Sequence, residues 1–119
     1  MGFTKRYKWH KIAASAADIQ WSPGMVAQVE VDGKTMCVGQ FNGELFGFAS
    51  HCPHAGASML DGYVDGACRV VCPVHSMKFD LRNGREASGD GYKLKTYPVE
   101  QREDGVYLGI EEGGLFKWL

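Results

Sequence analysis

Two short segments concentrate the chain's capacity for metal chemistry: Cys52-Pro53-His54-Ala55-Gly56 and Cys72-Pro73-Val74-His75. Each sets one thiol and one imidazole within a few residues. Seventeen residues lie between His54 and Cys72, enough for two loops to fold toward each other. Thiolate with neutral imidazole is a soft donor set that selects transition metals, whereas calcium and magnesium prefer oxygen. A proline follows each cysteine. It fixes its own φ and biases the residue before it toward extended geometry, which stiffens the backbone beside each sulfur. Gly56 can adopt φ > 0 and let the first loop double back. Two Cys and two His are also an acceptable zinc set, although Cys-x-His spacing is unlike the usual paired-Cys, paired-His zinc arrangement.

The neighbouring candidates read more plainly. His51 touches the first segment, but its neighbour Cys52 already serves as the donor, so His51 is expected at the surface or behind the ligands. His10 lies in an apparent strand far from both segments. Cys37 sits in an alternating strand and Cys68 in a short apolar run, so both are expected as buried free thiols rather than a disulfide. Lys78, Arg69, Arg82 and Arg85 lie near the two segments, as do Asp61, Asp65, Asp80 and Glu86. Mixed signs of this kind are ordinary for solvated turns.

The elements that must position these groups read as strands. Sixteen glycines punctuate short apolar runs, as in an all-β domain. Tyr7 to Ala14 reads as a first strand and Ala16 to Asp18 as one helical turn. Met25 to Val31, Thr35 to Phe41 and Leu45 to Ala49 form a meander, turning at Asp32-Gly33 and Asn42-Gly43, both primed hairpin signals. From Ser50 to Gly91 the alternation fails, and only Cys68 to Val71 and Met77 to Leu81 are apolar. It resumes in Tyr92 to Val99 and Val106 to Ile110, a closing hairpin expected to turn at Asp104-Gly105. The whole, residues 1–119, is expected as one domain with an inserted, loop-rich site at about residues 50–91.

Composition limits the function. Of the 119 residues 45% are hydrophobic and 23% charged, and the formal net charge is −1. A core is affordable, and no basic run offers a nucleic-acid surface. No apolar run approaches a membrane span. Met1 to His10 lacks the apolar stretch of a secretory signal, and Arg6 stands where a myristoylation motif needs Ser or Thr. The expected location is cytoplasmic, where spaced Cys and His favour metal ligation over disulfides. The tail Leu115, Phe116, Trp118 and Leu119 is unusually apolar for a terminus.

Cys52-Pro53-His54-Ala55-Gly56 through Leu60, and Cys72-Pro73-Val74-His75 through Phe79-Asp80, resemble the two cluster loops of the Rieske-type [2Fe–2S] ferredoxin family. The preceding meander and the final hairpin extend the resemblance over nearly the whole chain. It implies an all-β fold, an antiparallel β-sandwich or barrel with an inserted cluster-binding subdomain. It also implies one [2Fe–2S] cluster per chain, with Cys52 and Cys72 on one iron and His54 and His75 on the other, exposed iron. In the high-potential respiratory branch of the family, an extra cysteine in each loop forms a disulfide. Ala57 and Val74 occupy those positions here. A Ser and a Tyr that stabilise the reduced cluster in that branch are matched by Met77 and Phe79. Fewer hydrogen bonds to the sulfurs lower the potential, so the chain is similar to the low-potential ferredoxins of oxygenase systems or to nitrite reductase small subunits. Most relatives place Gly after the second His, where this chain has Ser76.

No glycine-rich dinucleotide turn, Ser-His-Asp set or further cluster motif is visible. The chain therefore reads as a one-electron carrier rather than an enzyme on its own, with no catalytic residues. Its expected partners are a flavin-dependent reductase and a terminal oxygenase, such as a dioxygenase component. The alternatives are the small subunit of an NAD(P)H-dependent nitrite reductase, working with its large subunit, and a zinc-stabilised interaction module.

Overall fold

The computed structural model describes residues 6–54 and 56–112; the apolar tail residues Leu115, Phe116, Trp118 and Leu119 lie outside them. The chain runs through β1 (Tyr7–Ala13), a 3-10 turn (Ala16–Asp18), and a meander of β2 (Val26–Val31), β3 (Lys34–Phe41) and β4 (Glu44–Ala49). A second 3-10 turn (Met59–Asp61) leads into three short strands, β5 (Tyr63–Val64), β6 (Arg69–Val71) and β7 (Lys78–Asp80). The chain closes with β8 (Thr96–Tyr97), β9 (Val99–Arg102) and β10 (Gly105–Glu111).

These strands form three antiparallel sheets, ordered β1-β10-β9, β2-β3-β4-β8 and β5-β6-β7. The two meander turns are two-residue loops, closing the pairs Val31↔Lys34 and Phe41↔Glu44. Both central residues of each have positive φ: 51° and 76° at Asp32-Gly33, 50° and 81° at Asn42-Gly43. Asn, Asp and Gly tolerate this geometry, and its twist matches that of the flanking strands.

The β2-β3-β4 layer is apolar on both faces, which fixes where the insertion can sit. Along β3, Met36 and Val38 join a core with Val31, Leu45, Val106 and Leu108, between the two large sheets. Cys37, one step out of phase, points to the other face. There it joins Val26 and Phe48 in a second core with Met59, Val70, Phe79, Leu81 and Leu94. Full burial of Phe48 and Phe79 contributes roughly 1.5–3 kcal/mol each, so the insertion is seated by packing as well as by its backbone bonds.

The closing segment differs from the expected hairpin. Pro98 lacks an N–H and divides the strand read over Tyr92 to Val99. Before it, Tyr97 and Thr96 pair with Gly47 and Phe48 of β4. After it, Val99–Arg102 pairs with β10, so the chain passes from one sheet to the other at this proline. Arg102 pairs with Gly105, which makes Glu103-Asp104 the turn and moves it one residue from the expected Asp104-Gly105. Residues 92–95 are not a strand but return to the insertion, where the Leu94 N–H donates to the Gly84 carbonyl at 2.8 Å.

Candidate metal centre

Both ligand loops close in the same way. The Cys52 N–H donates to the Ala57 carbonyl at 2.8 Å, and the Cys72 N–H to the Met77 carbonyl at 2.7 Å. Each bond spans five residues and wraps a turn around the imidazole-bearing segment. The fourth residue after each cysteine takes a positive φ: Gly56 at 69° and Ser76 at 54°. The backbone of Ser76 is therefore constrained. It occupies a left-handed position that favours glycine, and His75 before it has φ 64°. Two successive non-glycine residues in this region store backbone strain at the second loop.

The donors sort into an inner pair and an outer pair. Cys52 and Cys72 are buried, 2% and 1% exposed, at the edge of the core shared with Phe48 and Met59. His54 and His75 are exposed, and their rings meet edge-on with centroids 5.5 Å apart. All four sequence-derived candidates thus come together from two loops.

Their electrostatics suit a positively charged guest. Burial pushes the Cys72 thiol up, and the neighbouring Cys52 thiol pushes it the same way. Two thiolates side by side in an apolar pocket need a compensating cation, which bound metal supplies. Among the described residues, no three His, Cys, Asp or Glu side chains converge on a single ion. Two donor pairs suit a group with two metals and two protein ligands on each, such as a [2Fe–2S] cluster with mixed ligation. The residues present therefore fit that group.

The remaining candidates lie apart. His51 forms a bridge with Ser58, and its Nδ1 is 2.9 Å from the Ser50 hydroxyl. His10 lies on β1, with Nε2 3.7 Å from the Asp32 carboxylate. Cys37 and Cys68 are buried free thiols, and burial raises Cys37 to about 11, so it stays neutral. Of the charges around the loops, Arg69 pairs with Asp65 at 2.9 Å and Arg82 with Asp80 at 2.8 Å. The Arg82 guanidinium holds Asp80 below the usual carboxylate range. Burial pushes Asp65 up, but hydrogen bonds from the Ala67 and Arg69 N–H groups and the Arg69 side chain outweigh it and leave it low.

Tyr92 had no signal in the sequence. It stands at 40% exposure, with its ring edge-on to His54 at 4.9 Å. Neither spacing nor periodicity could have linked Tyr92, at the end of a third loop over residues 85–93 closed by the Arg85↔Lys93 bridge, to an imidazole in the first.

Comparison with known proteins agrees with this architecture. The family model for the Rieske [2Fe-2S] domain matches residues 8–98. The ferredoxin component of the naphthalene 1,2-dioxygenase/salicylate 5-hydroxylase systems of Ralstonia sp. is 34% identical over 89 residues, 74% of this chain and 85% of the relative. The ferredoxin subunit of the 3-phenylpropionate/cinnamic acid dioxygenase of Photorhabdus laumondii is 34% identical over 73 residues, 60% of this chain and 70% of the relative. A chain in the oxygenase–ferredoxin complex of carbazole 1,9a-dioxygenase superposes with a TM-score of 0.69 at 30% identity, covering 84% of this chain and 91% of that one. A Mycobacterium tuberculosis protein assigned as an NADH-dependent nitrite reductase small subunit shares the fold, with a TM-score of 0.76 at 20% identity over 88% of this chain and 96% of that one. With the family model spanning both donor loops and the strands from β1 to β8, the chain belongs to the Rieske [2Fe–2S] domain family.

Proposed function

We propose that this chain is a ferredoxin-type electron carrier whose cluster is held by Cys52, His54, Cys72 and His75. When bound, the cluster takes up and releases one electron at a time. The observation that carries the reading is the sorting of the donors: two buried thiols inside, two exposed imidazoles outside. The buried cysteines would hold the group from the core side. The exposed imidazoles would hold it from the surface side, where a partner can approach. Neutral imidazole in place of two thiolates lowers the negative charge around the group and raises its potential above that of an all-thiolate site.

The partners proposed are a flavin-dependent reductase as donor and a terminal oxygenase as acceptor, because the 34% identical relatives are ferredoxin components of dioxygenase systems. Four cysteines with no disulfide among them fit a reducing, cytoplasmic setting, and residues 1–119 are taken as one domain with the site inserted at about residues 50–91. A nitrite reductase small subunit is the second reading, motivated by the shared fold. Copurification with a large sirohaem protein would favour it.

The test is direct. Purified protein should be red-brown, with about two irons and two sulfides per chain. Stoichiometric zinc without visible absorption would refute the proposal. His54→Ala should bleach the protein and His51→Ala should not; the reverse would overturn the ligand assignment. With a reductase and NAD(P)H, the loaded protein should cycle and support a dioxygenase. The missing loop disulfide and the apolar Met77 and Phe79 place its potential near the low end of the Rieske range, at about −150 mV.

A further inference from the structure

The third loop brings an aromatic ring to the outer donor pair. Gly89 and Gly91 have φ of 86° and 90° and bend the chain at the loop's tip. The bridge Arg85↔Lys93 closes its base, and the Glu86 N–H donates to the Tyr92 carbonyl at 3.2 Å. At the tip, the Glu86 carboxylate accepts from the Ser88 hydroxyl and the Asp90 N–H. Buried Leu94 anchors the outgoing end. The backbone of Tyr92 is thus fixed by the loop, while its ring projects outward with 40% exposure.

Core burial does not account for that ring. Its aromatic contact is the His54 imidazole, at 4.9 Å with 78° between the planes. Among the described residues its hydroxyl makes no hydrogen bond. His75 also meets His54, at 5.5 Å and 67°, so His54 packs against two rings, one from each of the other loops. Edge-to-face packing is the favoured geometry for such pairs and resists rotation of the ring it touches.

We propose that Tyr92 is a positioning residue for the metal centre, holding the His54 ring in its ligating orientation and shielding that side of the outer donor pair from water. This rests on the assignment of His54 as a ligand. Reduction adds a negative charge to the cluster, and water stabilises that charge, so a shielding ring holds the potential down. Removing the ring should raise the potential and open a route for loss of metal.

The experiment compares the loaded wild-type protein with Tyr92→Ala, Tyr92→Phe and, as a control, Tyr63→Ala, which alters another exposed tyrosine, 51% exposed. Iron and sulfide are measured first, then the reduction potential, the electron paramagnetic resonance of the reduced state, and bleaching by a chelator. Tyr92→Ala should bind its cluster, shift the potential upward, alter the resonance and bleach roughly three- to tenfold faster, the range expected for loss of one aromatic pair. Tyr92→Phe keeps the ring and should match wild type, as should Tyr63→Ala. A loaded Tyr92→Ala protein with wild-type potential and bleaching overturns the proposal. So does a Tyr92→Phe protein that behaves like Tyr92→Ala, because the hydroxyl and not the ring would then be responsible. If Tyr92→Ala loses the loop's fold, Tyr92→Leu reads the same contact, with an upward shift expected and a wild-type potential refuting it. A wild-type protein lacking iron and sulfide would defeat the ligand assignment itself, and metal analysis shows this before any variant is made.

Discussion

The scaffold and the insertion are built by different means. The meander strands β2, β3 and β4 have six to eight residues each, joined by tight turns and pressed against the sheet of β1, β10 and β9. The insertion has strands of two or three residues, too short to stand alone. It is held by loop-closing bonds, by side chains capping backbone groups, and by a core that includes the sulfurs of Cys52 and Cys72. A scaffold stabilised by apolar burial should fold regardless of its guest. An insertion that buries its own ligands should depend on that guest, because metal binding and local folding are then one equilibrium.

The largest expected effect breaks one region and spares the other. Cys72→Ala should abolish the visible spectrum entirely. Hydrogen exchange should then show lost protection at β5, β6 and β7, while β2, β3, β1 and β10 stay protected. Equal loss in both regions would mean that they form a single cooperative unit. The converse substitution is Leu108→Ala. Leu108 is fully buried in the scaffold core, so its truncation should cost about 2–5 kcal/mol, read as a lower unfolding midpoint. The loaded, folded variant should keep the wild-type visible spectrum.

A smaller effect lies at the bend between β5 and β6. The Asp65 carboxylate accepts from the Ala67 N–H at 2.9 Å, the Arg69 N–H at 3.1 Å and the Arg69 Nε at 2.9 Å. Asp65→Ala should destabilise by about 1–2 kcal/mol at neutral pH, having left two backbone donors without their acceptor. The pKa of Asp65 is lowered by folding. Its contribution is therefore present above the unfolded value near 4 and is lost as pH falls through the folded one. The gap between wild type and Asp65→Ala in thermal unfolding should narrow below about pH 4; a gap that widened on acidification would contradict this.

The smallest effect sharpens the comparison between the two ligand loops. Ser76 holds φ 54° where the first loop has Gly56 at 69°. Ser76→Gly should relieve strain of about 1–2 kcal/mol and return about half of it as added freedom in the unfolded chain. The net gain expected is under about 1 kcal/mol, visible as a slightly raised midpoint for cluster loss. A destabilised Ser76→Gly protein would show that the serine side chain contributes something its backbone strain conceals.

Much of this molecule was legible in local sequence. Asp32-Gly33 and Asn42-Gly43 specify their turns because only a few residues accept φ > 0 at both central positions. Alternation then places β2 to β4, and the 3-10 turn at Ala16–Asp18 lies where it was expected. The two donor loops could be read because their spacing and flanking prolines are themselves local. Other features depended on what the chain meets in space. Cys37 looks like an ordinary core residue, and only the packing of the insertion against β3 shows which core it enters. The run from Tyr92 to Val99 alternates like a single strand, yet Pro98 divides it between two sheets because each half finds a different partner. Ser76 reads as a minor change until the Cys72–Met77 bond forces its backbone left-handed. Tyr92 reaches His54 because a loop closed by Arg85 and Lys93 carries it there. Turn chemistry and ligand spacing act over a few residues and are written in the sequence. The pairing of distant surfaces depends on burying apolar area and satisfying backbone groups together, and the assembled fold alone decides that.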